Sequence, residues 1–226
     1  MAPRVDKHEH ALGAQAERLG ASGERSATLD AGRPAAAVAG AYAAVGVSSA
    51  GVSFLLGRSP IACQGWLGTH GWAAVLLSLG LGMVLGSTTI AATPPMVRRW
   101  RWARALHLAL RPAAHGAGNA ALLLVAVASA TGEELLFRGL LVPLTGVAAS
   151  SVAFGLMHQI SGRARWGWMA WATIMGLLFG EVFAMTGSLV GPLIAHAAIN
   201  HSNLRFLRDN DPAPPRRRAL GGLLRR

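Results

Sequence analysis

The stretch Ala130-Thr131-Gly132-Glu133-Glu134-Leu135-Leu136-Phe137-Arg138-Gly139 places two acids and an arginine inside an apolar run. Immediately upstream, Ala120 to Ala130 holds no charge at all. A charged side chain at bilayer depth is costly, and such residues face a polar cavity or a partner and do work there. The stretch therefore reads as a functional site built into a membrane-embedded helix.

Composition points the same way. Hydrophobic residues make up 52% of the chain and charged residues only 14%, the profile of a membrane protein. A spanning helix takes about 20 mainly apolar residues, and the hydropathy pattern predicts six: Pro34–Leu56, Gly71–Ala92, Gly118–Leu141, Pro143–Gln159, Trp166–Thr186 and Ser188–Phe206. The expected fold is thus an all-α membrane protein with about six transmembrane helices. Tight loops join the third to the fourth span and the fifth to the sixth, so the last four are expected to form one catalytic bundle. The corresponding organisation is a disordered segment over 1–33, two accessory helices with a basic linker over 34–117, a core over 118–207 and a basic tail over 208–226.

The net charge of +11 invites a nucleic-acid reading, and its distribution argues against one. Arg98, Arg99, Arg101, Arg104 and Arg111 fall between spans two and three, and Arg163 and Arg165 between spans four and five. Arg205, Arg208, Arg216, Arg217, Arg218, Arg225 and Arg226 lie at or beyond the end of span six, whereas the opposite loops carry Arg58 and little else. That alternation satisfies the positive-inside rule with both termini in the cytoplasm. The charge is topology, with anionic lipid as its partner. Nothing before residue 34 resembles a cleavable signal peptide. The arginine-rich, lysine-poor usage suggests a bacterial plasma membrane. Arg98–Arg111, with Trp100, Trp102 and Leu106 among its arginines, is expected to lie along the membrane surface as an amphipathic helix. The lone Cys63 permits no intrachain disulfide.

Three patterns carry chemistry. In Glu133-Glu134-x-x-x-Arg138, the four-residue spacing puts Glu134 and Arg138 on one helix face. Arg138 then neutralises Glu134 and leaves Glu133 free to face another group. Phe154-x-x-x-His158 stacks a pocket wall on an imidazole, and His196-x-x-x-Asn200 again shares one face. Each has a bland alternative: a structural ion pair, an interfacial histidine, or an interhelical hydrogen bond that merely holds the bundle. Together they offer an acid-base carboxylate, two imidazoles, an amide donor and a balancing cation. Amide hydrolysis needs that set: a base for water, an acid for the leaving amine and donors for the oxyanion. Glu133, His158 and His196 would also suit zinc with one water ligand, although the His-Glu-x-x-His pattern of common zinc peptidases is missing. The paired-donor spacing of His196 and Asn200 favours a metal-free site, so no cofactor is the preferred reading. Glu181 interrupts the fifth span and is expected to make a hydrogen bond within the bundle.

At these residues the chain resembles the CPBP family, the CAAX-protease and bacteriocin-processing intramembrane peptidases, also called the Abi family. Its three motifs occur here in order as Glu133-Glu134-x-x-x-Arg138, Phe154-x-x-x-His158 and His196-x-x-x-Asn200, and the resemblance covers about residues 118 to 203. It implies peptidase activity within the membrane, with eukaryotic relatives that remove the last three residues of prenylated CAAX proteins. Carried over by position, it implies that Glu133 and His158 activate water. His196 and Asn200 would stabilise the oxyanion, and Glu134, Arg138 and Phe154 would support the site. The family is often labelled metalloprotease. The implied partner is a membrane protein, a lipidated protein or a leader peptide. Two other classes compete: a non-catalytic immunity or scaffolding protein that reuses the fold, and a proton-coupled transporter with Glu133 and Glu181 as carriers. The absence of an inverted repeat of broken helices speaks against the transporter.

Overall fold

The computed structural model describes residues 34–162 and 164–212. The expected disordered segment over 1–33, Arg163 and the tail arginines from Arg216 onward lie outside the described residues. Among those described, the regular elements are helices: α1 (Pro34–Leu55), α2 (Gly71–Arg99), α3 (Arg101–Ala114), α4 (Asn119–Glu134), a π-helical segment (Leu135–Leu141), α5 (Val142–Met157), α6 (Ala164–Thr186) and α7 (Val190–Asp209). The protein is a multi-pass, all-α membrane protein. Large apolar side chains such as Leu55, Leu76, Val84, Leu123 and Leu178 point outward from the bundle, as they must where the surrounding solvent is lipid.

Among the described residues four stretches are long and apolar enough to cross a membrane: Pro34–Leu55, Gly71–Arg99, Asn119–Met157 and Ala164–Thr186. The third holds two of the expected spans, and the boundary between them moves. Helix runs on through Val142 and Pro143, and the chain reverses at Gly146, whose φ of 86° and ψ of 166° are open only to glycine. In an unbroken helix Phe137 and Phe154 would stand about 25 Å apart, yet their rings meet edge-to-face at 4.9 Å. The expected break at Val142-Pro143 is replaced by the π turns just before the proline. Proline has no N–H to bond the carbonyl four residues back, and its ring crowds that carbonyl. Widening the helix relieves the conflict, and the Gly139 carbonyl accepts a hydrogen bond from Ser53 Oγ of α1 at 3.4 Å. α7 has the length of a span, but its run of His196, Asn200, His201, Ser202 and Asn203 keeps it out of the most apolar set.

The two N-terminal spans pack directly on the helices that follow. α2 lies along α7, where Ser78 Oγ donates to the Ser188 carbonyl at 2.8 Å and accepts from the Gly191 N–H at 3.0 Å. The α1–α2 loop clasps the α6–α7 turn: Cys63 N–H donates to Gly187 O at 2.9 Å and Leu189 N–H to Ile61 O at 3.1 Å. α3 is amphipathic as expected, but its buried stripe of Ala103, Leu106 and His107 packs on α6 and α7. There His107 Nε2 lies 2.9 Å from the Asn210 carbonyl and Arg111 Nε donates to the same oxygen at 3.1 Å. The end of α2, α3, the start of α6 and the end of α7 therefore share one pole of the bundle, the pole that carries the described arginines apart from Arg58 and the buried Arg138. At the opposite pole Arg58 donates to the Pro143 carbonyl.

Candidate active site

Reversal at Gly146 sets the site, because it brings the fourth-span residues back alongside α4. Glu133 then lies opposite His158, one turn beyond the Phe137–Phe154 pair. Glu133 stands about 21 Å along α4 from Asn119, deep inside the bundle. It lines a cavity of about 230 Å³ together with Tyr42, Ser129, His158 and Asn200. The remaining lining residues, Val38, Val125, Asn203, Leu204 and Leu207, follow one direction only. They run toward the start of α1, the start of α4 and the end of α7. The cavity thus descends from the arginine-rich pole to the carboxylate.

Behind the cavity wall lies a buried layer of charge. Glu134 is 0% exposed and Arg138 1%. Arg138 Nη1 donates to Glu134 Oε1 at 2.9 Å, its Nη2 donates to the Gly176 carbonyl of α6 at 3.2 Å, and His196 Nδ1 lies 2.7 Å from the same Glu134 Oε1. The Arg138 guanidinium sits over the rings of Phe154 at 4.6 Å and Phe179 at 5.1 Å, contacts that stabilise a desolvated cation. Phe179 also stacks on His196 at 5.2 Å. The expected Glu134–Arg138 pair is present, and it also anchors a histidine from the last helix.

Hydrogen bonding fixes how both imidazoles are presented. His158 Nδ1 lies 2.7 Å from the Phe154 carbonyl, which can only accept, so that nitrogen carries the proton. His196 Nδ1 meets a carboxylate oxygen and is a donor by the same argument. Both rings therefore turn Nε2 toward Glu133, at 3.9 Å from Oε2 for His158 and 3.6 Å for His196. These separations are too long for direct hydrogen bonds, and Glu133 Oε2 and Glu134 Oε2 are buried without a partner among the described residues. Among those residues no group of three His, Cys, Asp or Glu side chains is arranged to hold a metal ion. One observation pulls the other way: His196 has the carboxylate partner on its far nitrogen that a metal-bound histidine requires.

The structure brings together Glu133, Glu134, Arg138, Phe154, His158, His196 and Asn200, but not on one surface. Glu133, His158 and Asn200 line the cavity, while the others stand behind it. Asn200 Nδ2 donates to Ser129 Oγ at 3.1 Å, so it does tie α7 to α4. Ser129 escaped the sequence reading, although its place one turn before Glu133 puts it on the same face. Tyr42 of α1 and Trp168, stacked on His158 at 5.7 Å, were also missed. The expectation for Glu181 fails: it is exposed on α6 and makes no hydrogen bond among the described residues. A single acid one or two turns from a helix end needs no bundle partner when it can reach the interface.

With this geometry in place, comparison with known families is informative. Residues 116–202 match the family described as type II CAAX prenyl endopeptidase, Rce1-like. That segment is similar to the CAAX-protease family. It spans the three motifs and the whole buried charge layer, and it agrees with the resemblance read from the sequence. No curated protein and no solved structure matches the chain.

Proposed function

We propose that the protein cleaves peptide bonds of membrane-associated substrates with a water activated by Glu133 and His158. The supporting observation is the convergence of two imidazole Nε2 atoms on the unpartnered Glu133 Oε2. A water about 2.8 Å from both Oε2 and His158 Nε2 fits their 3.9 Å separation. Both are acceptors, so each takes one of the water's protons into a hydrogen bond and its lone pair is left to attack the scissile carbonyl. Glu133 takes up a proton as the C–O bond forms and gives it to the leaving amine as the C–N bond breaks. The Asn200 amide supplies one donor to the oxyanion. His196 supplies the second when both ring nitrogens are protonated, with Nδ1–H held by Glu134. No step requires a metal.

The cavity's descent from the arginine-rich pole supports entry from the cytoplasmic side, with both termini in the cytoplasm and anionic lipid against that pole. A CAAX-type or leader-peptide substrate of an otherwise lipid-bound protein would reach the site this way. The test is turnover of a farnesylated CAAX peptide by purified protein in detergent. Glu133→Gln keeps the shape and loses the base, so activity should fall by more than about 10² with thermal unfolding unchanged. Activity should also survive chelation. Full turnover by Glu133→Gln removes Glu133 as base, and reversible loss on chelation restored by zinc alone makes the site a metal one.

A further inference from the structure

Tyr42 is the only tyrosine in the chain, and it lies on α1, outside the segment that matches the family. Tyr42 and Glu133 line the same cavity. The approach is set by backbone: a Cβ placed on Gly132 would strike the Tyr42 carbonyl and its Cβ. α1 therefore rests on the residue immediately before the proposed base, and any side chain at 132 would push it away. The next cavity residue on α1 is the apolar Val38, one turn earlier, so the hydroxyl is the polar feature of that wall. A half-buried phenol without a partner costs free energy, and an ionised carboxylate is purely an acceptor.

We infer that Tyr42 is a positioning residue for Glu133: its O–H donates to one carboxylate oxygen and keeps Oε2 turned toward the two imidazole Nε2 atoms. A carboxylate has a broad terminal torsion, and neither imidazole is close enough to fix it by a direct hydrogen bond. A donor on the opposite wall supplies the missing restraint. This inference rests on the reading of Glu133 as base, and it makes the first helix part of the reaction centre.

The test measures turnover of a farnesylated CAAX peptide by full-length wild type, Tyr42→Phe and Glu133→Gln, with thermal unfolding of each. Tyr42→Phe keeps the ring and removes one hydroxyl, so kcat should fall about 10- to 100-fold, as for loss of a hydrogen bond to a charged group. KM and the unfolding temperature should stay at wild-type values. Wild-type kcat in Tyr42→Phe alongside an inactive Glu133→Gln overturns the inference and leaves the proposed function standing. A change confined to KM overturns it too, since Tyr42 would then touch substrate instead of the base. Loss of folding in Tyr42→Phe would assign the hydroxyl to structure and has the same consequence. Turnover by Glu133→Gln would remove the underlying proposal itself.

Discussion

Glu134 accepts hydrogen bonds from two cationic or potentially cationic side chains at once, Arg138 and His196, and it is wholly buried. Removing one partner of such a pair strands the other charge, which typically costs about 3–5 kcal/mol. Glu134→Ala and Arg138→Met should each lower the unfolding temperature and abolish turnover. The double replacement Glu134→Leu with Arg138→Met removes both charges, so it should recover most of the stability and none of the activity, because His196 loses the acceptor that orients it. A double variant as unstable as the singles would show that the pair is not the source of the loss. At this scale the sequence was informative where helical spacing decides neighbours: Glu134 with Arg138, and Phe154 with His158, whose rings lie 4.4 Å apart. It was silent on His196 reaching Glu134, because nothing in a lone motif says which face of another helix it will meet.

Among the elements, the α4–α5 reversal matters most. Its turn residue, Gly146, adopts φ and ψ values that carry a penalty of about 1–3 kcal/mol for other residues. Gly146→Ala should cost roughly that much stability and slow turnover, since it shifts Phe154 and His158 against Glu133 without touching any group of the site. Thermal unfolding and kcat in the same preparation check this, and an unchanged Gly146→Ala would show that the reversal is made elsewhere. The hydropathy of the two spans was legible, but their junction was placed at Val142-Pro143, where the helix in fact continues. The helix absorbs that proline by widening over Leu135–Leu141, an accommodation that depends on a neighbour, Ser53, occupying the freed carbonyl. Local sequence carries no record of that neighbour.

For the molecule as a whole, the arginine distribution was readable from sequence and the packing of the first two helices was not. Small residues such as Gly132 and Ser78 allow close approach only when the partner backbone is known. Orientation can be tested with the native Cys63, exposed on the α1–α2 loop at the pole opposite most of the described arginines. In intact cells a membrane-impermeant maleimide should label it if that loop faces outward. Partial burial pushes the thiol up from its ordinary range, so less thiolate is present at neutral pH and labelling should quicken as pH rises. Labelling only after the cells are opened would reverse the topology. The placement of the reacting groups along the chain also has a consequence in time. Glu133 is made before His158, and His196 and Asn200 come last, on α7. Chains are built from the N-terminus, residue by residue, so a ribosome-bound intermediate already holds the acid but not the helix whose His196 bonds its neighbour Glu134. On the proposed mechanism the chain is therefore inert toward its own emerging segments, and toward the translocation machinery around it, until the last described helix has entered the membrane.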